Sequence, residues 1–279
     1  MSKVRIIAEL GINHNGKLET VEELIYTAKE CGADLVKFQK RSLDRVYSKE
    51  ELDKYRESPW GTTNRQQKEG LEFSKVDYDE IAKYCKRFDI GWFASPWDLE
   101  SVEFLKQYNL PYNKIASAML GHKDLLKAIA IQKKYTFIST GMHTLDEIQL
   151  AYNIFIDAGC PFELVYCNSQ YPQPDNELNL RCIQTLKSRF ECEVGYSSHS
   201  TGIMAPVLAA ALGAISVEAH LTLDRAMYGS DQAASLEPHG FSKMVEYIRY
   251  TEQAFGDGEK VVYPGELPIK KKLARTKDF

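Results

Sequence analysis

Short runs of nearly continuous apolar residues recur along the chain, and each gives way to a stretch with helical spacing. The runs are RIIAELG (5–11), ADLVKFQ (33–39), IGWFASPW (90–97), YNKIASA (112–118), YTFISTG (135–141), FELVYCN (162–168), CEVGYSS (192–198) and AISVEAH (214–220). They do not alternate apolar with polar, so they predict strands covered on both faces, as in a parallel sheet walled by helices. Helices are predicted over 20–31, 78–88, 98–108, 123–133, 144–158, 178–190, 202–212 and 240–255. Thr144 followed by Glu147 has the capping-box form, and Asp77 with Glu80 is a looser version of it. Eight β/α units over a single domain, 1–256, predict an α/β (β/α)8 TIM barrel. An open doubly wound sheet would call for a glycine-rich first turn; the first turn here reads GINHNG, with no GxGxxG, so the barrel is preferred.

One connection is out of proportion. Residues 40–77, between the second strand and its helix, include ESPWGTTNRQQKEGLEF. A loop of this length in a compact domain is usually functional or disordered. Its Tyr47, Tyr55, Trp60 and Phe73 argue against disorder, and its place above the strand ends predicts a lid. The bland alternative is an insertion that only covers the barrel rim. After Phe255 a polar segment, 257–279, reads as a tail without a further core.

Composition changes this picture little. A net charge of −4 over 279 residues gives no support for bulk nucleic-acid binding. No stretch has the run of about 20 apolar residues that a membrane span needs. The N-terminus lacks a signal-peptide layout. Six cysteines with no CxxC and no metal-ligand spacing read as reduced thiols of a cytoplasmic protein.

The chemistry lies at the strand ends. They carry Glu9, Lys37 with Gln39, Ser95, Lys114 with Ser117, Ser139 with Thr140, then Asn168, Ser169 and Tyr171, Ser197 with His199, and Glu218 with His220. Ligands of parallel α/β folds bind at that end, and polar residues there need partners. Lys37 and Lys114 beside a crescent of hydroxyls predict a phosphate or carboxylate site. His199 and His220 end adjacent strands, so their imidazoles can converge; with Glu9 on the strand beside them they favour a metal site with open positions. His14 is a polar neighbour of Glu9 or merely solvated. His122, His143 and His239 fall at helix starts and carry no signal.

The motifs AELGINHNG (8–16), LVKFQ (35–39), ASPWD (94–98), NKIASA (113–118), ISTGM (138–142), CNSQYP (167–172), GYSSHS (195–200), VEAHLTLDR (217–225) and GSDQAASLEP (229–238) run in one order along almost the whole chain. In these the sequence resembles the sialic acid (N-acetylneuraminate) synthase family. The resemblance implies condensation of phosphoenolpyruvate with an open-chain aldose, typically N-acetylmannosamine, to a 3-deoxy-2-keto nonulosonic acid and phosphate. It implies a divalent metal, Mn2+ or Mg2+, on His199 and His220 that polarises the sugar aldehyde. It puts Lys37, Lys114, Ser95, Ser117, Ser139, Ser169 and Ser197 around phosphoenolpyruvate. Glu9 would orient water or stabilise the cationic C2 centre, and Gln39, Tyr171 and Asp231 would meet the sugar.

The match has departures. Ser117 is followed by Ala118 and Met119 where family members often have an acid, and Ser169 stands where many carry Asn. Most members continue into an antifreeze-like domain that lends an arginine to the partner's sugar site, and residues 257–279 hold no such domain. Lys40, Arg41, Arg56 and Arg65 of the long loop are therefore expected to complete the acceptor site. Two other readings are a Schiff-base aldolase using Lys114 and a non-catalytic phosphosugar-binding barrel. A homo-oligomer is left open.

Overall fold

The computed structural model describes residues 3–275. Each apolar run becomes a strand: β1 (Arg5–Glu9), β2 (Leu35–Lys40), β3 (Gly91–Pro96), β4 (Tyr112–Ile115), β5 (Tyr135–Ser139), β6 (Phe162–Tyr166), β7 (Val194–Ser198) and β8 (Ser216–His220). They form one parallel sheet in the order β3-β2-β1-β8-β7-β6-β5-β4, in which the first strand pairs with the last. β3 and β4 pack side by side at the remaining seam, so the sheet is a nearly closed barrel. The helices that follow are α1 (Leu18–Glu30), α2 (Lys75–Arg87), α3 (Leu99–Lys106), α4 (Lys123–Ala130), α5 (Leu145–Asp157), α6 (Cys182–Phe190), α7 (Met204–Ala211) and α8 (Pro238–Ala254). No helix among the described residues is long and apolar enough to cross a membrane, and all six cysteines are free thiols.

Periodicity explains how each helix sits. α1 buries Val21, Leu24, Ile25 and Ala28, the i, i+3, i+4, i+7 stripe of a helix with one face on the core. α5 starts at the expected box: the Thr144 hydroxyl accepts from the Glu147 amide, and the Glu147 carboxylate accepts from the Thr144 amide. The looser box at Asp77 is corrected by one turn. Ser74 is the cap and Asp77 its reciprocal partner at 2.8 Å, so α2 begins at Lys75. α6 starts at Cys182 and not at 178, because YPQPDNEL spends its backbone on a loop and a short 3-10 turn, Asp175–Glu177.

The barrel floor is a polar plug set in aromatics. The Arg5 guanidinium lies 5.2 Å from the Tyr112 ring and 5.3 Å from that of Tyr135. Glu163, fully buried, accepts from the Tyr135 hydroxyl at 2.8 Å and from Ser216. Above this layer Phe93 and Phe137 stack at 5.2 Å and close the interior to water. Side chains beyond them point into the mouth.

Asp34, just before β2, ties the N-terminal strand to the last helix. It accepts from the Ile6 amide at 2.9 Å, from Lys3 at 2.8 Å and from Arg249 at 2.9 Å. Burial alone would raise its carboxyl, but these partners outweigh it and hold the group below its usual value. A lowered folded value means the stabilisation is present above the unfolded-state pKa of about 3.9 and fades as pH falls through the folded one. Asp34→Asn is expected to cost about 2 kcal/mol at neutral pH and to lose that difference as pH falls through the lowered folded value, read by urea melts at neutral and strongly acid pH.

Residues 40–77 are a folded cap and not an irregular loop. They hold short helices over Leu43–Val46 and Lys49–Asp53, a hairpin of Tyr55–Ser58 with Gly61–Thr63, and a helix over Asn64–Leu71 closed by a Thr63/Gln66 capping box. The cap docks through Trp60, 5.7 Å from Tyr228 of the β8–α8 loop. Gly16 and Gly70 let it approach the first βα loop: a Cβ on Gly16 would lie 2.0 Å from the Gly70 carbonyl oxygen. Residues 257–275 are exposed, with a helix over Leu267–Leu273 that buries nothing; 276–279 lie outside the described residues.

Candidate active site

Register sets the site before any side chain is considered. Glu9 is level with Lys37 on one neighbour and with His220 on the other, and Glu218 is level with Ser197. Side chains two apart on a strand share a face, so Glu218 and His220 point the same way, as do Lys37 and Gln39. A cavity of about 210 Å³ opens there, at the C-terminal mouth. Its wall contains Glu9, Lys37, Gln39, Ser95, Lys114 and Ser117 on one side. Ser139, Ser169, Tyr171, Ser197, His199, Glu218 and His220 also line it, with Trp97 and Ala118 among its apolar parts. Asp231 is not in this wall; it lines an adjoining cleft, with Oδ2 3.7 Å from His220 Nδ1.

The charges are organised by a residue that the strand ends list without singling out. Glu218 takes Lys114 Nζ on Oε2 at 3.0 Å, and on Oε1 takes Lys37 Nζ at 3.4 Å and the Ser197 hydroxyl at 3.1 Å. Lys37 also pairs with Glu9 at 2.7 Å and donates to Ser95 Oγ at 3.3 Å. Both lysines are nearly sealed from solvent, at 4% and 2% exposure, so each depends on these partners. Burial pushes the Glu218 carboxyl up, and Lys114 and Lys37 together overcome it and hold it well below the usual range. Burial works against the Lys37 ammonium likewise, and Glu218 and Glu9 keep it charged. The spacing of Glu218 two residues before His220 was the available signal: it puts both on the inward face.

Glu9 is itself held. Gln39 Nε2 donates to its Oε1 at 2.6 Å, and a Cβ on Gly11, at φ +45, would come 2.9 Å from that oxygen. The hydroxyl crescent is kept open in the same way. The Gly141 amide donates to Ser117 Oγ at 3.1 Å, and a Cβ there would meet Ser169 Oγ at 2.4 Å. His143, which carried no signal, contacts the Ser117 carbonyl at 2.9 Å.

The imidazoles converge as expected, with ring centroids 5.5 Å apart. His199 Nδ1 meets the Asn168 carbonyl and Nε2 the Tyr171 hydroxyl at 2.7 Å. Burial, then the neighbouring His220, push the His199 ring down to about 4, so it is neutral at pH 7. Donation from Nδ1 to a carbonyl leaves Nε2 as the acceptor of the Tyr171 hydroxyl, so this is the nitrogen His199 would offer to an ion in place of that hydrogen bond. His220 Nδ1 is buried with no hydrogen-bond partner. Among the described residues no three His, Cys, Asp or Glu side chains form a ready cage. Two converging imidazoles, that of His220 with an orphaned nitrogen beside Asp231, nevertheless fit an ion that keeps open positions.

Other expectations are corrected by burial and pairing. His14 is neither solvated nor engaged with Glu9: it stacks on Phe73 at 4.3 Å, accepts from the Gly16 amide, and burial holds it near 3. Lys40 turns away from the mouth to Glu72 at 3.3 Å and the Phe73 carbonyl at 2.9 Å. Arg65 pairs with Asp44 on the outside of the cap. Arg41 and Arg56 do line the adjoining cleft, together with Lys68.

A barrel whose mouth holds buried cations, hydroxyls and paired imidazoles around a small cavity is an enzyme site for a small anionic substrate. The chain belongs to the NeuB family, which it matches over residues 24–260. It is 37% identical to the N,N'-diacetyllegionaminic acid synthase of Campylobacter jejuni, covering 100% of this chain and 86% of that protein. It is likewise 37% identical to the N-acetylneuraminate-9-phosphate synthase of Mus musculus, covering 97% and 76%. The crystal structure of the N-acetylneuraminic acid synthetase of Leptospira borgpetersenii in complex with citrate superposes with a TM-score of 0.86 at 31% identity, over 98% of this chain and 93% of that one. Family members use phosphoenolpyruvate and a sugar, and this chain is a synthase of that kind.

Proposed function

We propose that the chain joins phosphoenolpyruvate to the aldehyde of an open-chain aldose, giving a 3-deoxy-2-keto nonulosonic acid and phosphate, with these site residues in the roles that follow. The observation carrying this is the cavity in which Lys37 and Lys114, bridged by Glu218, face the pair His199 and His220. Lys37 and Lys114 neutralise the phosphate and carboxylate of phosphoenolpyruvate, and Ser95, Ser117, Ser139, Ser169 and Ser197 supply the neutral hydrogen bonds that orient it. His199 and His220 would hold a divalent ion, manganese or magnesium, whose chemistry is to draw electron density from the aldehyde oxygen.

The C2–C3 π pair of phosphoenolpyruvate forms the new bond to the aldehyde carbon, whose C=O π pair moves onto oxygen; C2 is left cationic in character, and the oxygen takes up the proton released by the water that adds there. Glu9 is fixed by Lys37 and Gln39. Its carboxylate stabilises that centre and orients the water that adds to C2. The C2–O bond to phosphate then breaks, and the departing phosphate takes the negative charge toward the lysines. Gln39, Tyr171 and Asp231 meet the sugar hydroxyls, in a wall where Ala118 offers no acid. The relatives' names differ in whether the product bears a phosphate, so family membership leaves the acceptor open.

The test is purified protein with phosphoenolpyruvate and manganese against a panel of aldoses, read as phosphate release; no release with any acceptor would defeat the reading. One variant probes the hydroxyl crescent. Gly141→Ala puts a methyl among Ser169, Ser117 and Cys167. It is expected to lower kcat/KM for phosphoenolpyruvate about a hundredfold while the melting temperature falls only slightly. A kinetically normal Gly141→Ala enzyme would mean the crescent does not touch substrate.

A further inference from the structure

Where β2 runs into the 40–77 cap, the outgoing chain is stapled to the returning one. Lys40 Nζ reaches the Phe73 carbonyl at 2.9 Å, and the Arg41 amide donates to Glu72 Oε2 at 3.2 Å. The Arg41 guanidinium borders the adjoining cleft but spends its donors inside the protein. Nη1 donates to Glu72 Oε1 at 3.4 Å, Nη2 donates to Gln39 Oε1, and Nε is buried with no acceptor. The guanidinium carbon lies 4.2 Å from the centre of the Trp97 ring, which keeps the fork in place. Gln39 carries the contact inward: its Nε2 donates to Glu9 Oε1 at 2.6 Å. A primary amide has its acceptor on one side and its donors on the other. With Oε1 held by Arg41, the donor side is the one turned to Glu9. The other Glu9 oxygen, Oε2, meets Lys37 at 2.7 Å. Contacts therefore run without a break from Glu72 of the cap, through Arg41 and Gln39, to a carboxylate that is 1% exposed.

We propose that Arg41 is a positioning residue for Glu9: acting through Gln39 it holds the carboxylate in the orientation that water addition at C2 needs, and through Glu72 it ties that orientation to the seating of the cap. This rests on reading the first cavity as the condensation site. Without Arg41 the Gln39 oxygen stands half-buried and unpaired, which is unfavourable, so the amide turns toward another donor. Lys37 is no substitute, because Glu9 and Glu218 already share it. Glu9 is then fixed at one oxygen only and pivots about Lys37. A carboxylate held at both oxygens has a defined plane; one held at a single oxygen does not. Lys37, Lys114 and the serines keep their places, so phosphoenolpyruvate binds as before. The loss falls on turnover, where small misplacements of a reacting group are expensive.

The full chain is assayed with phosphoenolpyruvate, manganese and the aldose of the panel that releases most phosphate. Arg41→Lys keeps a charge for Glu72, and with it the staple of the cap, but one ammonium cannot also stand where Nη2 meets Gln39. It is expected to lower kcat about tenfold, with KM for both substrates within about threefold. Gln39→Leu is expected to lose at least as much kcat. Added to Gln39→Leu, Arg41→Lys is expected to cost no further kcat, because both remove the same support from Glu9. Lys54→Ala, on the same cap but paired with Glu51, serves as the control that changes nothing. A normal kcat in Arg41→Lys overturns the proposal, as do a rise in KM alone and losses that multiply in the double variant. If the parent releases no phosphate with any aldose, the condensation reading fails. Crystal structures of the parent and of Arg41→Lys then decide the positioning by itself. A Gln39 amide turned away from Glu9 in the variant supports it, and an unmoved amide refutes it.

Discussion

Glu218→Gln is expected to destabilise the empty enzyme by about 3–5 kcal/mol, the usual consequence of leaving a buried charge without its partner. Lys37 keeps Glu9 at 2.7 Å, but Lys114 loses its one acidic partner among the described residues. The variant should therefore melt well below the parent and regain stability when phosphoenolpyruvate or phosphate supplies the missing anion. This ligand-dependent rescue should exceed the stabilisation the parent shows, because in the parent Glu218 already neutralises the lysines. Turnover should fall by about a hundredfold, the scale of losing one preorganised electrostatic contact. Thermal melts of both proteins, with and without phosphoenolpyruvate, check it. Equal ligand-induced shifts would mean that the lysines do not form the anion site.

Chelation is expected to have the second large effect. EDTA should abolish phosphate release, manganese should restore it, and His199→Ala should lose at least about a hundredfold in activity while needing more manganese to reach it. The competing chemistry gives the opposite outcome: an aldolase working through Lys114 would ignore EDTA, and borohydride with pyruvate would trap it. The geometry already leans against that route. A Schiff-base lysine needs a free amine, whereas Lys114 Nζ sits in an ion pair with Glu218 at 3.0 Å. Activity that survives EDTA would remove the histidine pair from the mechanism.

Much of the site was legible because it lies at strand ends, and the strands were legible because both faces are covered. Lys37, Lys114, the five serines and the two histidines could be read from their positions after apolar runs, and they line one cavity. Lys40 shows the limit. It is three residues beyond Lys37 on the same strand, and the odd spacing turns it to the opposite face, over the rings of Tyr78 and Phe104. His14 shows another: loop composition does not reveal that Phe73, far along the chain, will stack on it. Folding of the 40–77 cap was also hidden. Its helices and hairpin are too short to give periodicity, and Gly16 and Gly70 act only through the close approach they permit.

Strand number, parallel class, and the chemical types gathered at the barrel mouth were determined by local order along the chain, because periodicity and turn chemistry are short-range properties. The tertiary structure decided which charge answers which. Glu218 bridges lysines 181 and 104 positions away, and Glu72 of the cap answers both Lys40 and Arg41. Those relations follow from register between distant strands and from how the cap packs on the barrel, and electrostatic energy depends on distance in space and on burial, neither of which a linear sequence displays.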